Sequence, residues 1–250
     1  MTDRSVLTLT GADRVDFLQG LVTNDVSRAE GGIVYTALLT PQGKYLADFF
    51  VIGQADRLLI DVASSHAAAL LQRLTMYRLR ADVQIAATDL KVSRGTGPGP
   101  AGALPDPRDP ALGWRHYGDD DLSDDTDWTA LRVAHLVPET GEELTPETYI
   151  LEAGFERLHG VDFRKGCFVG QEIVARMKHK TTLRKGLVRV RLDGAAQPGD
   201  EIVSGDRAAG VVHSVAGDQA IAYLRFDRAA DLRTTGARLI PHPGDIPSQS

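Results

Sequence analysis

The sequence predicts an α+β protein that ends in a small β-barrel, and three observations carry that prediction. Strand-like apolar runs at 34–39, 46–52 and 58–62 are separated by tight turns. A helical stripe of Ala67, Leu70, Leu71, Leu74 and Tyr77 follows them directly. From Leu187 onward, short β segments (187–192, 201–203, 208–215, 220–224) alternate with P-G-D, S-G-D and A-G-D turns, the rhythm of a barrel or sandwich.

Taken in order, Val6 to Leu9 reads as a first strand, and Phe17, Leu18, Leu21 and Val22 mark a short helix. Pro41-Gln42-Gly43 and Gly53-Gln54-Ala55-Asp56 supply the turns of an antiparallel meander, because proline presets φ and glycine accepts positive φ. Ser64 or Ser65 is the expected N-cap of the next helix. Prolines, glycines and repeated aspartates in 95–127 deny regular hydrogen bonding and predict a loop or crossing. That stretch lacks both the G-K-S/T of a phosphate loop and the spacing of a calcium loop. Thr145 as N-cap, Pro146, Glu147 and the terminator Gly160 predict a helix over Pro146 to His159. The resulting division is 1–94, an α+β region; 95–127, the crossing; 128–185, a second α+β region; and 186–250, the barrel.

Composition narrows the class. The 250 residues, 42% apolar and 25% charged, suit a soluble globular chain with more than one lobe. No stretch approaches the roughly 18 apolar residues of a membrane span, and no secretory or transit segment is visible, so a cytoplasmic protein without membrane partners is expected. The single cysteine forbids an internal disulfide and cannot by itself hold an iron–sulfur cluster, which would need a partner. The seven histidines show no ligand spacing, and no metal site is expected. Nine Lys or Arg residues against Glu172 give the stretch 164–191 a charge of +8 on a chain whose net charge is −6. Such a patch attracts an anionic small molecule, an RNA backbone or an acidic partner, and charge alone does not choose among them.

The segment K-G-C-F-V-G-Q-E, Lys165 to Glu172, gathers the candidate chemistry. Arg164 and Lys165 precede Cys167, and the spacing of Ile173, Val174 and Met177 opens a helix near Gly170. Both features favour an exposed thiolate over a thiol. Gly166 and Gly170 permit tight backbone geometry, while Gln171 and Glu172 offer groups for a heterocycle's polar edge. Taken alone, a cysteine between glycines is more often an inert buried residue.

The string K-G-C-F-V-G-Q-E-I-V-A-R resembles the signature of the YgfZ group, folate-binding proteins related to the aminomethyltransferase (T-protein) of the glycine cleavage system. F-L-Q-G-L-V-T-N-D-V at Phe17 to Val26, Y-T-A-L-L-T-P-Q-G-K-Y-L-A-D-F-F-V at Tyr35 to Val51 and M-Y-R-L-R at Met76 to Arg80 extend the resemblance over most of the chain. It implies a three-lobed ring of the glycine-cleavage T-protein type with a C-terminal β-barrel. It also implies tetrahydrofolate or a derivative as cofactor. The implied role is support of iron–sulfur enzymes, including those that modify tRNA, with client enzymes or cluster carriers as partners. Cys167 and Lys165 take the positions of the group's functional pair, Asp48 that of the transferase's catalytic acid, and Gly166, Gly170, Gln171, Glu172 and Arg176 those of cofactor binding. The chain departs at Arg132 to Leu136, where R-V-A-H-L places Ala134 at the pterin-binding glutamate. That departure disfavours glycine-cleavage aminomethyl transfer more than folate binding, since a positioned catalytic pair is harder to replace. One-carbon transfer dependent on Asp48 and RNA binding by the basic stretch are the competing readings, the second not favoured.

Overall fold

The computed structural model describes residues 3–247 and divides them into two compact units. The first comprises the chain up to Thr126 together with Phe155–Ala175. Its main sheet is built from β1 (Arg4–Thr10), β2 (Ile33–Leu39), β3 (Tyr45–Gly53), β4 (Arg57–Ala63) and β5 (Gln84–Ala87), with α1 (Arg14–Gln19) and α2 (Ser64–Tyr77) between them. The strands pair antiparallel in the order β2-β3-β4-β1-β5. Thr40 to Lys44 closes the first hairpin as expected, with Gly43 at φ +74°.

Alternation along β3 sorts the two faces of this sheet. Ala47, Phe49 and Val51 pack with Leu18 of α1 and Leu70 and Leu74 of α2 in the apolar core. Truncating a side chain such as Leu74 to alanine costs about 2–5 kcal/mol. The intervening residues Asp48 and Phe50 share the opposite face with Tyr35 and Asp61, since Tyr35 stands across from Phe50 and Phe50 across from Asp61. That second face is also buried, but it carries two carboxylates, Asp48 and Asp61. The helix α2 begins without a side-chain cap: the Ser64 hydroxyl bonds that of Ser5 instead, and its N–H donates to Asp3 O. The expected serine cap is therefore replaced by ties to the start of β1.

The stretch 95–127 is not wholly a loop. A second sheet, β6 (Lys91–Gly95), β7 (Leu104–Pro105) and β8 (Trp114–Gly118), is ordered β6-β8-β7 and reaches into it. The reason lies in Arg115, which brings a fully buried guanidinium to Asp61 at 2.8 Å and stacks 3.9 Å from the Phe50 ring centroid. Arg4 holds the other Asp61 oxygen at 2.6 Å, Tyr117 donates to Asp61 at 3.0 Å, and Arg108 grips Asp106 at 2.8 Å. Burial pushes the Asp61 carboxyl up, but Arg115 and Arg4 outweigh it and hold the group below its usual range.

The second unit comprises Asp127–Gly154 and the chain from Arg176 on. It holds α3 (Trp128–His135) and a closed barrel of β9 (Lys185–Gly194), β10 (Glu201–Ser204), β11 (Arg207–Ala216), β12 (Gln219–Arg225), β13 (Leu232–Arg233) and β14 (Ala237–Pro241), in the order β10-β11-β12-β9-β14-β13. The inward residues Val188, Val190, Ile202, Val212, Ala222 and Leu224 form its core. One further helix, α4 (Gln171–Lys180), starts in the first unit and ends in the second.

No helix spans Pro146 to His159; the backbone there is a succession of turns. Gly154 takes φ +77°, which interrupts the helical path, and the Glu152 carbonyl accepts the Leu187 N–H of β9 rather than a helical partner. Among the described residues, no helix is long and apolar enough to cross a membrane.

Candidate functional site

The turn after α1 and the segment 159–170 interlock within the first unit, chiefly through main-chain groups. Thr23 donates its hydroxyl to Gly160 O at 2.7 Å, and its own carbonyl accepts the Asp162 N–H at 3.0 Å. Asn24 spends its amide donors on Tyr35 O at 2.8 Å and His159 O at 2.6 Å. Asp162 caps the following turn by accepting the Arg164 N–H at 2.7 Å, and Arg28 pairs with its other oxygen. The T-N-D part of the opening motif thus supports the cysteine segment.

Lys165 is buried, and its ammonium donates to the main-chain oxygens of Gln19 at 2.6 Å and Val22 at 2.5 Å. Gln19 ends α1, where carbonyl oxygens lack helical partners, so a lysine there satisfies them and meets the negative end of the helix dipole. The Phe168 ring lies 5.2 Å from the same nitrogen. Burial lowers this ammonium to about 8, against the opposing pull of Asp25, Asp162 and Cys167. Cys167, two residues on, is exposed. Gly170 then takes φ +83°, and a Cβ there would stand 2.6 Å from Thr40 O; a Cβ on Gly43 would meet Ile173 at 2.9 Å. The hairpin turn and the start of α4 fit together because both positions are glycine. At Gly166, by contrast, a Cβ would meet nothing within 4 Å.

A cavity of about 390 Å³ adjoins this segment, lined by Asn24, Arg28, Tyr35, Pro107, Asp162 and Arg164 among others. Asp48 lies behind its wall rather than in it: its oxygens accept the Tyr35 hydroxyl at 3.1 Å and the Tyr45 hydroxyl at 2.7 Å. Burial and the Asp48 charge push the Tyr35 phenol well above its usual value, so it stays a donor. Gln171 and Glu172 open α4, which gives that helix an acidic first turn, and Arg176 is exposed one turn further along. The basic stretch is not one face, since Lys165 is buried and Arg189 is tied to Asp245 at 2.9 Å. Ala134 sits exposed on α3, while its neighbour Arg132 is buried against Glu143 at 3.2 Å and Ser214 at 3.0 Å. Among the described residues, no group of three or more His, Cys, Asp or Glu side chains stands together as a metal centre.

The residues missed in the sequence are Thr23, Asn24, Arg28, Tyr35 and Asp162. A signal was present in T-N-D, but its ties to the cysteine segment run to Gly160 O and His159 O, backbone groups more than a hundred residues away.

Comparison with known proteins bears on this arrangement. Residues 184–247 match the family model described as CAF17, C-terminal beta-barrel domain. The chain is 29% identical to the Neurospora crassa protein named iron-sulfur cluster assembly factor IBA57 homolog, mitochondrial, over 78% of this chain and 54% of that one. A Mycosarcoma maydis protein of the same name is 31% identical over 78% of this chain and 57% of its own length. The chain therefore spans little more than half the length of these relatives. Glycine cleavage system aminomethyltransferase T from Bartonella henselae superposes with a TM-score of 0.76 at 16% identity, covering 97% of this chain and 84% of that one. The fold is thus the aminomethyltransferase type with a C-terminal closed barrel, as expected. The cytoplasmic expectation is corrected, because both named assembly factors are designated mitochondrial.

Proposed function

We propose that this chain serves the assembly of iron–sulfur proteins through Cys167 and binds a tetrahydrofolate in the cavity beside it. The observation that carries the reading is the exposed thiol on a strap braced by Lys165 and Gly170, three residues beyond Arg164 of the cavity wall. Its support from outside the structure is similarity to proteins named as cluster assembly factors, together with the YgfZ-like string. A lone cysteine suits a ligand lent to a cluster held by a client enzyme or carrier, tRNA-modifying enzymes among the clients, rather than one held alone.

The cavity residues fit the folate. Its volume lies in the range of small-molecule sites. The exposed guanidinium of Arg164 on its wall suits the glutamyl carboxylates, and Arg28, paired with Asp162, adds positive charge beside it. The folate would supply a one-carbon carrier; the protein's part is to bind and orient it. One-carbon transfer through Asp48 ranks second, since both its oxygens already accept tyrosine hydroxyls. RNA binding ranks third, because the basic stretch is not one block: Arg164 and Arg176 are exposed, but Lys165 is buried and Arg189 is ion-paired to Asp245.

Calorimetric titration with tetrahydrofolate tests the cofactor part. Saturable heat is expected, with affinity falling about tenfold in Arg164→Glu, the equivalent of about 1.4 kcal/mol. No heat at millimolar ligand would remove folate from the account.

A further inference from the structure

A lysine beside an exposed cysteine invites a chemical role, as general acid or as counter-charge. The geometry of Lys165 points elsewhere. It is 8% exposed, and two of its three donors are committed to the carbonyl oxygens of Gln19 and Val22. Its side chain is turned into the end of α1, whereas Cys167 faces solvent. At the other end of the strap, Gly170 and Gly43 lie so close that neither accepts a Cβ without displacing the Thr40–Gly43 turn or Ile173. Between these two pins Gly166 and Cys167 are exposed, and Phe168 beside them is buried. The strap is therefore held at its two ends and by Phe168, and open at Gly166 and Cys167.

We propose that Lys165 is a positioning residue: by donating to the main-chain oxygens of Gln19 and Val22 it latches the segment Lys165–Gly170 to the end of α1, and so sets where the Cys167 sulfur stands. The inference takes Cys167 as the working residue, as in the reading above, but its test needs neither folate nor cluster. A neutral amine still has donors for both carbonyls, so the latch holds on either side of the lysine's titration. The glycine pin does by shape what the lysine does by hydrogen bonding. A change at either end should consequently disturb the same sulfur.

Two labelling experiments on the full chain test this. In a brief acetic anhydride pulse followed by peptide mapping, Lys165 of the native protein should react at least about tenfold more slowly than exposed Lys91, and catch up in urea. In the second experiment, Cys167 alkylation by iodoacetamide is followed against pH in the wild type, Lys165→Met, Lys165→Arg and Gly170→Ala, with unfolding midpoints recorded alongside. Lys165→Met and Gly170→Ala should shift the alkylation rate in the same direction by about threefold or more, and Lys165→Arg, which keeps donors, should stay nearer the wild type. Acetylation of Lys165 as fast as Lys91 would overturn the latch. So would an unchanged alkylation profile in Lys165→Met, or a wild-type profile in Gly170→Ala beside altered ones in both lysine variants. If Lys165→Met does not fold, the acetylation pulse and Gly170→Ala decide.

Discussion

Two buried cations of the first unit, Arg115 and Lys165, sit in opposite kinds of surroundings. Arg115 is clamped to the Asp61 carboxylate, under a Phe50 ring, with Arg4 and Tyr117 completing the same network. Among the described residues, Lys165 has only main-chain oxygens as direct hydrogen-bond partners at its nitrogen. Burial works against both charges, but the Asp61 charge raises Arg115 above its usual value while Lys165 falls to about 8. A carboxylate partner turns a buried cation into part of the framework. Carbonyl partners leave it holding a segment in place at some cost to its own charge. The first arrangement joins β8 to the main sheet; the second presents an exposed thiol.

The comparison breaks most visibly at the framework. Arg115→Met leaves Asp61 buried with too little positive charge, and urea unfolding should show a loss of about 3–5 kcal/mol. At the strap the corresponding lesion is steric. Gly170→Ala combines a positive φ with a Cβ 2.6 Å from Thr40 O, and should cost about 2 kcal/mol or more in the same assay.

The two regions also differ in their response to pH. Asp61 and Asp106 titrate below their usual 3.8, so the stability they contribute is present above that value and is lost as pH falls through it and below. Lys165 behaves in the reverse sense: between about 8 and 10.5 the unfolded chain binds a proton that the folded chain does not, so stability rises with pH across that window. Unfolding midpoints measured across both ranges should show the alkaline rise in the wild type and its loss in Lys165→Met. The smallest effect belongs to Gly166→Ala, which meets open space and should alter stability by less than about 1 kcal/mol.

How far the sequence discloses this arrangement depends on which interactions are local. The β2–β3–β4 meander, α2 and the barrel strands are written in apolar alternation and glycine turns, and they stand where that pattern puts them. Residues 146–159 carry every local helix signal, yet Gly154 and the pairing of Glu152 O with β9 override them. Trp114–Gly118 carries too little pattern to announce a strand; its pairing with β6 and the tie of Arg115 to the distant Asp61 hold it. At the site, Cys167 and Gly170 are legible in a single motif. Lys165 is legible as a residue but not in its role, because its partners are carbonyl oxygens, which no side-chain pattern reports.

The central claim is that Cys167 is the residue through which the chain serves iron–sulfur proteins, and complementation tests it most directly. In cells lacking the gene, the wild type and Cys167→Ala are expressed to equal levels, and the activities of cluster-dependent enzymes are measured against those of cluster-free enzymes in the same extracts. The exposed position of the thiol predicts that Cys167→Ala folds with an unchanged melting temperature and restores no cluster-dependent activity above the empty vector. Full restoration by Cys167→Ala would contradict the account.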